Sequence, residues 1–158
     1  MKMAMINERL LFMRERGQSL TELAVSMTFI LILLAGVVDI GRAFFTYIAL
    51  RDAAQEASLY GSIEPTNCSG IEYRARNSSD EPVNLADTSL VGVDIEVKSS
   101  SCPAAVALKP CYGDEIRVTV RYDNFPITMP FIGSFIGKQT VDISASVSDT
   151  VIVPSCSP

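Results

Sequence analysis

Hydrophobic and polar positions divide this chain into three regimes. A charge-bearing stretch, Met1 to Gly17, is followed after a short polar link by Leu23 to Val38, which carries no charge at all. That apolar run falls slightly short of the roughly 20 residues a membrane-spanning helix needs. Ser19–Thr21 before it and Ile40–Leu50 after it make up the deficit, because Asp39 and Arg42 can pair at i,i+3 on a helix. Beyond Arg42 the pattern turns amphipathic. Ala43, Tyr47, Leu50, Ala54 and Ala57 recur at alternating spacings of about four and three, one stripe of a helix, with Arg51, Asp52, Gln55 and Glu56 between them. Gly61 reads as the stop. A single helix from Ser19 to Tyr60 is thus predicted, on the order of 60 Å long at about 1.5 Å per residue. Only part of that length fits in a bilayer, so the rest must project outward and meet something apolar.

The third regime has a period of two. Residues 62–90 hold Pro65, Pro82 and many Ser, Asn and Asp with little periodicity, and read as a loop. Val91–Val97, Ile116–Tyr122 and Thr140–Val147 each alternate apolar with polar residues, so each predicts a strand with one buried and one wet face; Val151–Val153 extends the last. Tyr112–Glu115 reads as a turn, and Phe125–Ile136, with Pro126, Pro130 and Gly133, as an apolar loop. An antiparallel meander lying on the outward half of the long helix satisfies both apolar stripes at once. The fold class is therefore α+β: a long N-terminal transmembrane and amphipathic helix carrying a small antiparallel β-sheet domain.

Charge gives this arrangement a direction. Residues 1–17 carry Lys2, Arg9, Arg14 and Arg16 against Glu8 and Glu15, within a chain of net charge −5. A basic end before an apolar run stays on the cytoplasmic side, and the chain beyond the run is translocated. The acidic exported part argues against nucleic acid, which needs clustered Lys and Arg. Nothing beyond Val38 is apolar for long enough to span a second time. With no histidine in the chain, general acid–base chemistry would rest on carboxylates alone. No glycine-rich phosphate loop is present either, so no enzyme and no cofactor is expected.

All four cysteines, Cys68, Cys102, Cys111 and Cys156, lie beyond the apolar run. In an exported domain an even number of cysteines reads as disulfides, and four allow three pairings. The short Cys102–Cys111 loop, flanked by Pro103 and Pro110, predicts one bridge and leaves Cys68 for Cys156. Closely spaced ligand pairs, the mark of a four-cysteine zinc site, are missing. Asp114–Glu115 and Asp123–Asn124 lack the ligand spacing of a cation loop and read as solvated turns. Asn67-Cys-Ser and Asn77-Ser-Ser match the glycosylation sequon only formally. Gly36 and Gly41 read as close-packing or kink positions, and Phe44 and Tyr47 as packing residues.

The remaining candidate chemistry lies at Gly17-Gln-Ser-Leu-Thr-Glu22. A carboxylate at the edge of a membrane segment is expensive, and its default reading is functional. A cut after the small residue Gly17, held at the membrane face by Arg14, Glu15 and Arg16, would expose a new amine at Gln18. Glu22 would then seek a cation, and the amine of a neighbouring subunit can supply it, since a buried charge is tolerable only when paired. Glu22 also suits the start of a helix, where the macrodipole favours an acid. Two other readings of this end exist: a signal peptide with Met27–Val38 as its apolar core and a cut at Gly41-Arg42-Ala43, which Asp39 and Arg42 fit poorly, and an uncut anchor.

This hexapeptide before an apolar helix resembles the processing site of type IV prepilins and pseudopilins. More specifically, Arg16–Glu22, Asp39-Ile-Gly-Arg-Ala-Phe44 and Leu50–Tyr60 are similar to the TadE-like family, minor pseudopilins of the tight-adherence (Flp-type) pilus. Tyr112–Tyr122 resembles that family's distal strand. The resemblance implies cleavage between Gly17 and Gln18 by a dedicated aspartyl prepilin peptidase, with a role in pilus biogenesis, adherence and biofilm. The expected organisation is a leader over 1–17, a long helix over 18–61 that spans the membrane over about 19–42, and an exported domain over 62–158. Its expected place is the inner membrane, crossed once with the N-terminus cytoplasmic. Its expected partners are the prepilin peptidase and other pilins or pseudopilins, and its role is structural. A membrane-anchored exported binding domain that never joins a pilus is the alternative.

Overall fold

The computed structural model describes residues 2–79, 81–102, 109–129, 133 and 137–153, with side chains from Gln18 onward. Helix α1 runs without a break from Lys2 to Ile63, about 90 Å at ~1.5 Å per residue. Helix α2 (Cys68–Arg76) comes next, then strands β1 (Val91–Val97), β2 (Ser100–Ser101), β3 (Glu115–Pro126) and β4 (Thr140–Thr150). The strands form one antiparallel sheet in the order β2-β1-β3-β4. The α+β class and the three long strands are as the alternation predicts.

Pairing of Ile95 with Val118 and of Val118 with Val147 places the apolar residues of the three long strands on one face. That face packs on the C-terminal part of α1 through Leu50, Ala53, Ala54 and Ala57, with Ile71 and Ala75 of α2 closing the core. The stripe on α1 is slightly rotated from the predicted one. Thr46 and Ala49 are buried, while Phe44 and Tyr47 stand 59% and 42% exposed. Small side chains let a sheet lie close to a helix, so the alanine and threonine positions together with Leu50, rather than the aromatic ones, are the buried ones.

Gly61 is not the predicted helix stop. The helix continues to Ile63, and Gly61 is where it approaches the sheet most closely. A Cβ there would lie 2.2 Å from Ile116 Cδ1 and 3.2 Å from Ile71 Cδ1. The predicted loop over 62–90 likewise contains a helix. Asn67 caps α2 by accepting the Gly70 N–H at 3.0 Å, and Asn77 closes it by donating to the Tyr73 carbonyl at 2.8 Å. Both sequon asparagines therefore serve as helix caps. A nine-residue helix with two buried residues, Ile71 and Ala75, carries too little periodicity to stand out from its polar surroundings.

The predicted disulfides are corrected. Cys68, at the start of α2, is bonded to Cys102, just after β2, so neither Cys102–Cys111 nor Cys68–Cys156 exists. Cys111 is also disulfide-bonded, and Cys156 lies outside the described residues. The β1–β2 hairpin brings Cys102 to the start of α2: its two loop residues, Lys98 and Ser99, both take positive φ (53° and 60°), the conformation of a type I′ turn. The Cys102 N–H then donates to the Ile95 carbonyl at 2.9 Å. Val151 lies beyond β4, and the Ile152 N–H donates to Ser62 at the end of α1 (2.9 Å). Sheet and helix are thus tied together at the end far from the apolar run.

Candidate functional site

The chain presents two candidate regions on α1, one at each end of its apolar stretch. The first is Gly17–Glu22. All of it is helical, so the Gly17–Gln18 peptide bond lies within a continuous helix. Gln18 and Glu22 are both exposed. From Leu20 to Val38 the large apolar side chains, including Leu23, Phe29, Leu33 and Val37, are at least half exposed, apart from the partly covered Ile32. A helix that is apolar on every side and left largely uncovered by its own protein suits an apolar surrounding. Among the described residues α1 is the one helix long and apolar enough to cross a membrane.

The second region is where α1 leaves that stretch. Asp39 is buried, and its Oδ2 accepts the Met129 N–H at 2.6 Å, while Oδ1 lies 3.7 Å from Arg42. The predicted i,i+3 pair is therefore present. Arg42 also donates to Thr128 Oγ1 at 3.0 Å and lies over the Phe125 ring, 5.4 Å from its centroid. Met129 packs over Gly36, where an added Cβ would lie 3.5 Å from its Sδ. Gly36 is thus a close-packing position, whereas Gly41 has nothing within 4 Å of such a Cβ.

Phe125 reaches Arg42 because of a bulge in β3. Tyr122 pairs with Ile143 but Phe125 with Val141, which inserts one residue, and Asn124 takes φ 60°. The Asn124 N–H donates to Asp142 Oδ1 at 3.0 Å. Asp39 and Arg42 were legible as a helical pair. Their partners Thr128 and Met129 were not, since they lie 86 and 90 residues away along the chain.

Several charges elsewhere in the sheet domain are paired. Asp114 accepts the Cys111 N–H and pairs with Lys98 Nζ at 2.9 Å. Glu115 pairs with Arg117, and Asp123 with Arg121, both at 2.9 Å. The Cys111 amide, then Lys98, hold the Asp114 carboxyl below its ordinary 3.8. The Asn124 amide and Lys138 do the same for Asp142, the Ser89 hydroxyl and amide for Asp87, and the Ser148 hydroxyl and Arg117 for Glu115. A carboxylate with a depressed folded-state pKa contributes stability that is complete above its unfolded pKa and is lost as pH falls through the folded one. Melting temperature should therefore be level from neutral pH down to about pH 5 and drop on further acidification. Asp114→Asn should lower the neutral-pH value and flatten that drop. A profile unchanged by this substitution would show that Asp114 contributes nothing.

The architecture is that of an extended-helix protein: an apolar stalk, a polar clasp at its C-terminal end, and a sheet domain gripping the remaining turns. Residues 17–59 match the family described as TadE-like protein. The matched stretch covers the Gly17–Glu22 hexapeptide, the apolar run, Asp39–Arg42 and the helical turns under the sheet, as the resemblance in the sequence implies. No curated protein and no solved structure matches the chain.

Proposed function

We propose that this chain is a minor pseudopilin of a tight-adherence type IV pilus, anchored once in the inner membrane with its sheet domain exported. In this reading 1–17 is a leader, 18–61 the assembly helix and 62–158 the exported domain. The match of residues 17–59 to the TadE-like family carries the proposal. An apolar stalk that its own protein leaves uncovered supports it.

Processing would fall between Gly17 and Gln18. A peptidase that takes its substrate extended must first unwind that turn of α1, and glycine makes this easier by about 1 kcal/mol relative to alanine. Cleavage would leave the Gln18 amine one helical turn before Glu22, at the cytoplasmic edge of the stalk. Adherence and biofilm formation would result from pilus assembly, with the protein priming or capping the filament.

The mature N-terminus tests this. Mass spectrometry of the membrane-bound protein should find Gln18 first. The intact Met1 end should persist when the prepilin peptidase is deleted or Gly17 is replaced by Leu. An intact Met1 end in the unmodified strain, or a start at Phe44, overturns the proposal and favours an anchored binding domain outside any pilus.

A further inference from the structure

At the foot of the sheet domain, beside the first turns of α1 to leave the apolar stretch, lies a groove of about 600 Å³. That is within the usual size of ligand clefts, about 300–1,000 Å³. Phe45, Leu90, Phe125 and Pro126 supply apolar walls, and its charged groups are Arg42, Glu81 and Asp87. We propose that this groove binds the headgroup of a zwitterionic phospholipid bearing a free amine, drawn from the leaflet nearest the domain.

Three observations lead there, and they rest on α1 being a membrane anchor. The first is height. Val38 is the last residue of the uncharged run, and Arg42 stands about 6 Å above it, one turn of helix. The polar zone of a bilayer is about 5–7 Å deep on each side, so the groove lies at headgroup level. Met129 packed over Gly36 brings the foot of the domain down to the end of the uncharged run, just below the groove.

The second is charge. A zwitterionic headgroup carries a phosphate and an ammonium a few bonds apart, and the groove offers both complements. The Arg42 guanidinium has five N–H groups; one bonds Thr128, Asp39 lies 3.7 Å away, and with its side chain 48% exposed N–H groups remain for a phosphate. Glu81 and Asp87, also in the lining, supply negative charge. A purely anionic headgroup would satisfy Arg42 and be repelled by the two carboxylates. The third is continuity. Phe45 of the lining meets the Phe44 ring edge-on, and both are about 60% exposed, so a lipid seated by its headgroup keeps its acyl chains beside the stalk.

The test uses the full chain, purified in detergent and mixed with equal amounts of dioleoyl-phosphatidylethanolamine and dioleoyl-phosphatidylglycerol, then examined by native mass spectrometry. The ethanolamine lipid should be retained about fivefold over the glycerol lipid, the worth of one charge contact at a membrane surface. Glu81→Lys should abolish or invert that preference. Leu90→Trp, which narrows the groove, should lower retention of the ethanolamine lipid while the melting temperature holds. Equal retention of the two lipids, or a preference untouched by Glu81→Lys, overturns the site. Retention of neither, with dimers in the same spectra, assigns the groove to a second copy and overturns it as well. Release of the unmodified chain from membranes by carbonate would sink the anchor, and this site with it. A chain that stays in the membrane yet shows no lipid preference sinks this site alone.

Discussion

Glu22→Ala is expected to insert into the membrane and lose its leader normally, yet be absent from sheared filament fractions. The side chain is exposed on α1, just before the first residue of the uncharged run. At the centre of a bilayer an acidic side chain costs about 2.5–3.5 kcal/mol, and less toward the edge. Insertion therefore tolerates Glu22 and does not require it. In the proposed pilus, packed among the apolar stalks of neighbouring subunits, the same carboxylate would need a cation, and the Gln18 amine that processing would free in an adjacent subunit could supply it. Removing one partner of a buried pair costs about 3–5 kcal/mol, enough to exclude a subunit when the contact recurs at every addition. Glu22→Gln separates charge from shape: it preserves size and hydrogen bonding, and should fail as alanine does. Normal incorporation of either variant would show that Glu22 is a helix-start residue, favoured by the macrodipole alone.

The second large effect lies in the sheet domain. Replacing both Cys68 and Cys102 by Ala should destabilise it by about 3–4 kcal/mol, the loop-closure value for a bridge across 34 residues. Domains are stable by only about 5–15 kcal/mol in total, so the loss is a large share. The bridge ties the N-terminus of α2 to the end of the β1–β2 hairpin, and α2 brings only Ile71 and Ala75 to the core. Urea denaturation of the detergent-solubilised chain should show the midpoint fall accordingly. Peptide mapping without reductant should recover a Cys68–Cys102 fragment. A Cys102–Cys111 fragment, or an unchanged midpoint, would refute the assignment.

The disulfide shows where reading the chain from its residues reached its limit. Four cysteines allow three pairings, and a local criterion selects the shortest loop. The actual partner of Cys102 was chosen by a helix hidden in a polar segment and by a turn formed by Lys98-Ser99, which lacks the Asn-Gly that announces such turns. The stalk stripe is a similar case. Its helical period was plain from Ala43 to Ala57, but its phase depended on how closely a sheet could approach. Thr46 was buried in place of Tyr47, and Gly61 became a contact with Ile116 rather than a terminus.

What the amino-acid sequence determined by itself were the properties carried by neighbours within a few positions. These are the uncharged run that makes α1 a stalk, the alternation that makes β1, β3 and β4, the Asp39–Arg42 pair, and the Gly17–Glu22 motif within the TadE-like match. Helical and strand periodicities are local, so they can be read without knowing the fold. Tertiary structure decided what required segments far apart to meet. It joined Cys68 to Cys102, set Met129 and Thr128 on Asp39 and Arg42, turned Phe125 toward the helix through the bulge at Asn124, and enclosed the groove at the foot of the domain. Each of these depends on which surfaces bury one another, and on how closely, which no local pattern encodes.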